Sequence, residues 1–330
     1  MSTKAKWGAL IAVTAVVLLC LWIAIAVVTY GLVGPTVRCA LPRETAARPG
    51  WEAHSLISGG IKRCYYLYTP PDRDPAQPLP VVFSFHGFLS NPNSQALISG
   101  WHDLADREGF AVVYPQGQKF PLRWNAGPTW GNADVDDVQF FRDMLDDLPP
   151  AVDRTRVYVN GFSNGGGMAV RIGCEAADRV AAIGSVSGAV VSLVGCPPDR
   201  PLPLIAFHGT ADPIVPYEGE EMRGRFLRRA ADRTDAPYRF IGVEEWVTRW
   251  AEGDGCDPFP RSLPPQGNVF AVRYTGCDAG TEVILYTIIG GGHTWPGGRP
   301  IPGMGETNRD INATEEMWRF FQQFRLAENR

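Results

Sequence analysis

The chain has 330 residues, 45% of them hydrophobic and 20% charged, which is enough to bury a sizeable core and too apolar for a disordered chain. Its 31 basic and 35 acidic side chains leave a formal charge of −4, which offers a polyanion no basic footprint and excludes nucleic acid as the expected partner. Thirty-six glycines and 28 prolines point to many ordered turns and away from a helical bundle.

At the N-terminus, Lys4 and Lys6 precede an uncharged stretch whose centre, Ala9 to Val28, has the length of a membrane-spanning helix. Residues 1–36 are therefore expected to be a membrane anchor, or a signal segment if they are cleaved, and the length favours the anchor. Residues 37–59 are expected to be an extracytoplasmic linker, followed by one domain over residues 60–330. The body of the protein is thus expected outside the cytoplasm, held to a membrane through its N-terminal segment or secreted.

Beyond the linker the chain alternates strands and helices. Cys64 to Tyr68 reads as a strand, and Val81 to Phe85 is a near-continuous apolar run of the kind that fills a buried parallel strand. A loop is expected after His86 and Gly87, then a helix over 101–108 and a strand over 110–114. The spacing of Val138, Phe141, Leu145 and Leu148 predicts a helix over 135–148. Strands follow at 156–160, 181–186, 202–207, 269–274 and 283–288. Helices are expected from Asn164, over 244–250, and over 314–326 behind an Asn312 cap. This order predicts an α/β fold with a mostly parallel central sheet and helices on both faces.

Apart from Cys20 in the apolar stretch, six cysteines remain, an even number that suits disulfides in an oxidising compartment. Six cysteines allow fifteen connectivities; neighbours in sequence give Cys39–Cys64, Cys174–Cys196 and Cys256–Cys277 as the simplest set, with buried free thiols as the alternative. None of the six forms a CxxC pattern, and with five histidines no metal cluster is expected.

The chemistry is concentrated in three segments. Gly161, Phe162, Ser163, Asn164 and Gly165 form a G-x-S-x-G pattern between an apolar strand and a potential helix. Such a turn thrusts the serine outward and directs the start of the helix, with its free N–H groups, toward a developing oxyanion. A lone serine is a poor nucleophile and needs a base and an orienting acid from other strand ends. Asp212 follows the strand 202–207 in a loop stiffened by Pro213 and Pro216, and His293 follows the strand 283–288 after three glycines. Ser163, Asp212 and His293 occur in the chain order of an α/β-hydrolase triad. The N–H groups of Phe88 and Asn164 are the expected oxyanion donors. His208 reads as a structural residue beside the acid loop.

These segments resemble the polyhydroxybutyrate depolymerase-like and feruloyl esterase-like branch of the α/β-hydrolase superfamily. The likeness runs through His86 and Gly87, residues 130–138, the serine segment, residues 208–217 and residues 291–297. It implies a serine esterase acting through an acyl-enzyme, without a cofactor, on small or oligomeric esters: short hydroxyalkanoate oligomers, feruloyl esters or acetyl esters. Asp136 and Asp137, within the similar region, are expected to support a loop or cap the next helix. Trp124, Trp130 and Trp295 are candidates for a substrate wall or for filling under loops. A serine peptidase, or a catalytically silent envelope-associated binding protein on the same framework, are the alternative readings.

Overall fold

The computed structural model describes residues 39–42, 45, 47–74, 76–127, 132, 134–191, 198, 200–220 and 240–327. Among the described residues no helix is long and apolar enough to cross a membrane. This corrects the membrane association expected above; the stretch on which it was placed, Ala9 to Val28, lies outside the described residues.

Among the described residues ten strands form a single sheet: β1 (Trp51–Ser58), β2 (Ile61–Tyr68), β3 (Leu79–Phe85), β4 (Ala111–Pro115), β5 (Val152–Phe162), β6 (Ala182–Val186), β7 (Leu204–Gly209), β8 (Arg261–Ser262), β9 (Val269–Tyr274) and β10 (Val283–Ile288). Their spatial order is β1-β2-β4-β3-β5-β6-β7-β10-β9-β8. The six strands from β4 to β10 in that order pair in parallel, and antiparallel strands close both ends. Parallel strands need helical crossovers, which cover both faces, so every residue of β3, β4 and β6 is buried.

Alternation along the strands divides the core in two. Val81, Phe83 and Phe85 pack on one face with Phe141 and Met144 of α3 (Asp137–Asp147), Met168 of α4 (Asn164–Glu175) and Trp246 of α5 (Val243–Gly253). Val82 points the other way, toward Ala96 of α1 (Pro92–Ser99), Trp101 of α2 (Trp101–Glu108) and Met317 and Phe321 of α6 (Ala313–Phe321). Asn312 caps α6, its side chain accepting the N–H groups of Thr314 and Glu315.

Two elements differ from the sequence reading. Residues 51–58, placed in the linker above, form β1, which pairs with β2 along its whole length. As an edge strand it buries little, so its sequence lacks a clear apolar face. The stretch after Gly87 holds α1, capped by Asn91 through a 3.0 Å bond from the Ser94 N–H and started by Pro92.

Disulfides join Cys39 to Cys64 and Cys256 to Cys277. The first ties the segment entering the domain to β2, and the second joins the end of α5 to the loop after β9. Cys174 is also disulfide-bonded; Cys196, its expected partner, lies outside the described residues.

Candidate active site

Ser163 sits where β5 gives way to α4, with φ 56° and ψ −120°. A non-glycine residue adopts this backbone only when its surroundings impose it. Here its N–H donates to the Val186 carbonyl at 2.9 Å, and its own carbonyl accepts from Gly167 and Ala189, each at 3.0 Å. The turn also requires strand and helix to touch. A Cβ on Gly165 would lie 2.2 Å from the Phe85 carbonyl oxygen, and one on Gly161 would lie 2.2 Å from the Gly165 carbonyl oxygen. The two glycines of the pattern are therefore needed for clearance.

Asp212 and His293 are brought together by the ends of neighbouring parallel strands. A Cβ on Gly209, the last residue of β7, would fall 2.1 Å from the Gly291 carbonyl oxygen, so the two chains touch backbone to backbone. The Ala211 N–H donates to that same carbonyl at 3.0 Å. The result is a 2.7 Å bond from His293 Nδ1–H to Asp212 Oδ2. Asp212 Oδ1 accepts the N–H groups of Ile214 and Val215, both at 2.8 Å. Burial alone would raise this carboxyl, but the hydrogen bonds and charge offered by His208 and His293 prevail and hold it well below the usual carboxylate range. It is therefore ionised in neutral solution.

The His293 ring packs against Phe162, the residue before Ser163, with ring centroids 4.8 Å apart. His208 approaches the same carboxylate oxygen: Nε2 donates to the Val215 carbonyl at 2.9 Å and stands 3.4 Å from Asp212 Oδ2. It braces the acid loop, in keeping with the structural role expected for it.

The loop carrying Phe88 flanks the serine, since a Cβ on Gly87 would lie 3.3 Å from Ser163 Cβ. His86 is fully buried and burial lowers its pKa to about 4, so it is neutral at physiological pH. Its Nδ1–H donates to the Gly87 carbonyl at 2.7 Å, and Nε2 accepts the Gly117 N–H at 3.0 Å.

Trp124 and Trp295 are both wholly buried, so neither forms an exposed substrate wall. Trp295 donates its indole N–H to Thr314 at 2.9 Å and fills space under its loop. Trp130 lies outside the described residues. Asp136 caps α3, accepting the Gln139 N–H at 2.8 Å. Asp137 instead forms a buried ion pair with Arg63 at 2.6 Å and accepts the Asn125 N–H at 2.7 Å. Burial pushes the Asp137 carboxyl up, with Arg63 opposing that shift. This pair was missed in the sequence, although a lone arginine beginning the apolar strand of Cys64 to Tyr68 was its signal. The Asn164 side chain, singled out only for its N–H, also proves to be hydrogen-bonded within the site.

An α/β sheet with a strained serine at a strand-to-helix turn, and with an Asp–His pair whose imidazole packs on the residue before that serine, can be compared with known proteins. The family model described as "Esterase PHB depolymerase" matches residues 63–195, from β2 past the serine turn. The protein of Nocardia uniformis subsp. tsuyamanensis named "Putative esterase NocK" is 31% identical over 294 residues, covering 83% of this chain and 83% of its own length. The chain belongs to the polyhydroxybutyrate depolymerase-like esterases of the α/β-hydrolase superfamily. Feruloyl esterase B of Piromyces equi is 32% identical over 225 residues, covering 65% of this chain; the esterase described here spans only 39% of that relative's length. The solved structure of an acetyl xylan esterase from Aspergillus awamori shares the fold, with a TM-score of 0.55 at 14% identity over 82% of this chain and 99% of its own. The chain is accordingly a carboxylic ester hydrolase of the serine esterase type.

Proposed function

We propose that Ser163 is the nucleophile, His293 the general base and acid, and Asp212 the orienting acid of an acyl-enzyme mechanism. The observation that carries this reading is the 2.7 Å His293–Asp212 bond, with the His293 ring packed on Phe162, the neighbour of a serine held at φ 56°. With Nδ1–H committed to Asp212, His293 Nε2 is the nitrogen left to accept a proton. It takes the Ser163 hydroxyl proton as Oγ attacks the ester carbonyl, and the C=O electron pair moves onto oxygen. The N–H groups of Phe88 and Asn164 receive that oxyanion. Collapse expels the alkoxide, which takes the proton from His293 and leaves as alcohol. Water, deprotonated by His293, then attacks the acyl-serine and releases the acid. Asp212 remains a carboxylate throughout and stabilises the imidazolium.

The expected substrates are small or oligomeric esters: feruloyl and acetyl esters and short hydroxyalkanoate oligomers, with feruloyl esters foremost. The relative from Piromyces equi bears the name of a feruloyl esterase, which supports that order. Disulfides at Cys39–Cys64 and Cys256–Cys277 support a place outside the cytoplasm, where such bonds persist. Comparing kcat/KM for feruloyl, acetyl, butyryl and 3-hydroxybutyryl esters and a peptide amide tests the substrate class. Ester turnover led by the feruloyl compound is expected; a faster amide than any ester would overturn the assignment in favour of a peptidase.

A further inference from the structure

Trp124 occupies an unusual place for a loop residue. Its ring has no exposed surface and lies between Phe85 and His86, with ring centroids 4.9 and 5.0 Å away. Its main chain pairs with one side chain in both directions: the Trp124 N–H donates to Asn164 Oδ1 at 2.7 Å, and the Trp124 carbonyl accepts from Asn164 Nδ2 at 3.2 Å. A carboxamide offers the same donor and acceptor as a peptide group, so Asn164 takes the place of a neighbouring strand for this one residue. The indole N–H meanwhile donates to the His86 carbonyl at 2.8 Å.

One residue therefore ties together the two segments assigned to the oxyanion. On one side is the end of β3, which leads through Gly87 to Phe88; on the other is the first residue of α4, directly after Ser163. His86 extends the tie. Because its Nδ1–H holds the Gly87 carbonyl, the planar trans peptide turns the Phe88 N–H away from the imidazole. The loop behind Trp124 is itself anchored: the Asn125 N–H donates to Asp137 at 2.7 Å, and Arg171 donates to the Asn125 carbonyl at 2.5 Å. Asp137 is held in turn by Arg63.

We infer that Trp124, the Asn164 carboxamide and His86 are positioning residues that set the separation and direction of the two oxyanion-binding amides, with Trp124 as the strut between them. The inference rests on the assignment of Ser163 and its oxyanion donors. A burial role alone would explain the packing of the ring. It would not require the residue after the nucleophile to spend both polar atoms of its side chain on the backbone of residue 124. Oxyanion stabilisation depends on donors fixed in place before reaction, so a small displacement of either amide reduces transition-state binding more than substrate binding.

Trp124→Phe keeps an aromatic ring and removes the indole N–H; Asn164→Ala removes the carboxamide and keeps the backbone N–H. For each, kcat and KM on a p-nitrophenyl ester are measured with the Ki of an alkyl boronic acid, whose serine adduct is an anionic tetrahedron, and with the melting temperature. We expect Trp124→Phe to lower kcat by about tenfold, KM to change less than about twofold, and boronate affinity to fall in parallel with kcat. Should Trp124→Phe fail to fold, Asn164→Ala carries the same expectation. Unchanged kcat and boronate affinity with a lowered melting temperature would overturn the inference and leave Trp124 a packing residue. Fluorophosphonate labelling of the wild type, mapped by mass spectrometry, identifies the nucleophile independently of the variants. Label on Ser163 with unaltered variant kinetics defeats this inference alone, whereas label elsewhere defeats the nucleophile assignment and this inference with it.

Discussion

His293 and Asp212, 81 residues apart in sequence, meet through a 2.7 Å hydrogen bond while the second carboxylate oxygen of Asp212 is saturated by two backbone N–H groups. The carboxylate can therefore not rotate away without losing several contacts. That arrangement favours the proton on His293 Nδ1, the tautomer that the proposed mechanism requires.

Replacing the acid tests this. Asp212→Asn leaves shape nearly unchanged but can present an N–H to His293 Nδ1, favouring the wrong tautomer. We expect kcat to fall by about 10³- to 10⁴-fold with little change in KM, as measured by steady-state kinetics on a soluble ester. A loss smaller than about tenfold would show that His293 is not oriented by this carboxylate.

The ion pair beneath the site makes a stability prediction. Arg63 and Asp137 have side chains 1% and 0% exposed, and the guanidinium also stacks 3.8 Å over the Phe140 ring. Arg63→Met alone leaves a buried carboxylate without its cation and is expected to cost about 3–5 kcal/mol in urea unfolding. Adding Asp137→Leu should recover part of this, though not all, because the Asn125 N–H then loses its acceptor. Strict additivity of the two substitutions would contradict the pairing.

A pH dependence follows from Asp254. This carboxyl is buried at the end of α5, and burial raises its pKa to about 7 against the opposing hydrogen bonds from the Leu202 N–H and Thr281. The folded state then holds a proton that the unfolded chain releases near its ordinary value of 3.8. Between these two values folding takes up a proton, so this group's contribution to stability falls as pH rises and levels off above about 7. From pH 5 to pH 8 the loss is at most about 3 kcal/mol. Asp254→Asn removes the titration, so its stability relative to the wild type should rise over that interval. A difference independent of pH would contradict the raised value.

Much of this architecture was legible because local and global signals agree. The apolar run of Val81 to Phe85 is buried on both faces, and α2, β9 and β10 carry sharp boundaries in glycine and apolar spacing. The three loops proposed to carry the triad were visible for the same reason, each following an apolar strand. Strand β1 was not, since an edge strand with one partner has little face to bury. Helix α1 began with Asn91 and Pro92, a genuine start signal that the turn-forming character of both residues concealed. The Trp124–Asn164 clamp had no local signature at all, because it joins residues 40 positions apart through a side chain acting as backbone. For the three tryptophans named as wall or as filling under loops, turn-rich settings gave no measure of depth; Trp124 and Trp295 are wholly buried, and Trp130 lies outside the described residues.

Whether Ser163 carries the acyl group is measured most directly by the pre-steady-state release of p-nitrophenol from an activated ester, with Ser163→Ala as the comparison. A burst close to one equivalent per wild-type chain is expected, and none from Ser163→Ala, whose melting temperature stays near that of the wild type. A burst of undiminished size from folded Ser163→Ala would contradict that expectation, since the acyl group would then be carried by another residue.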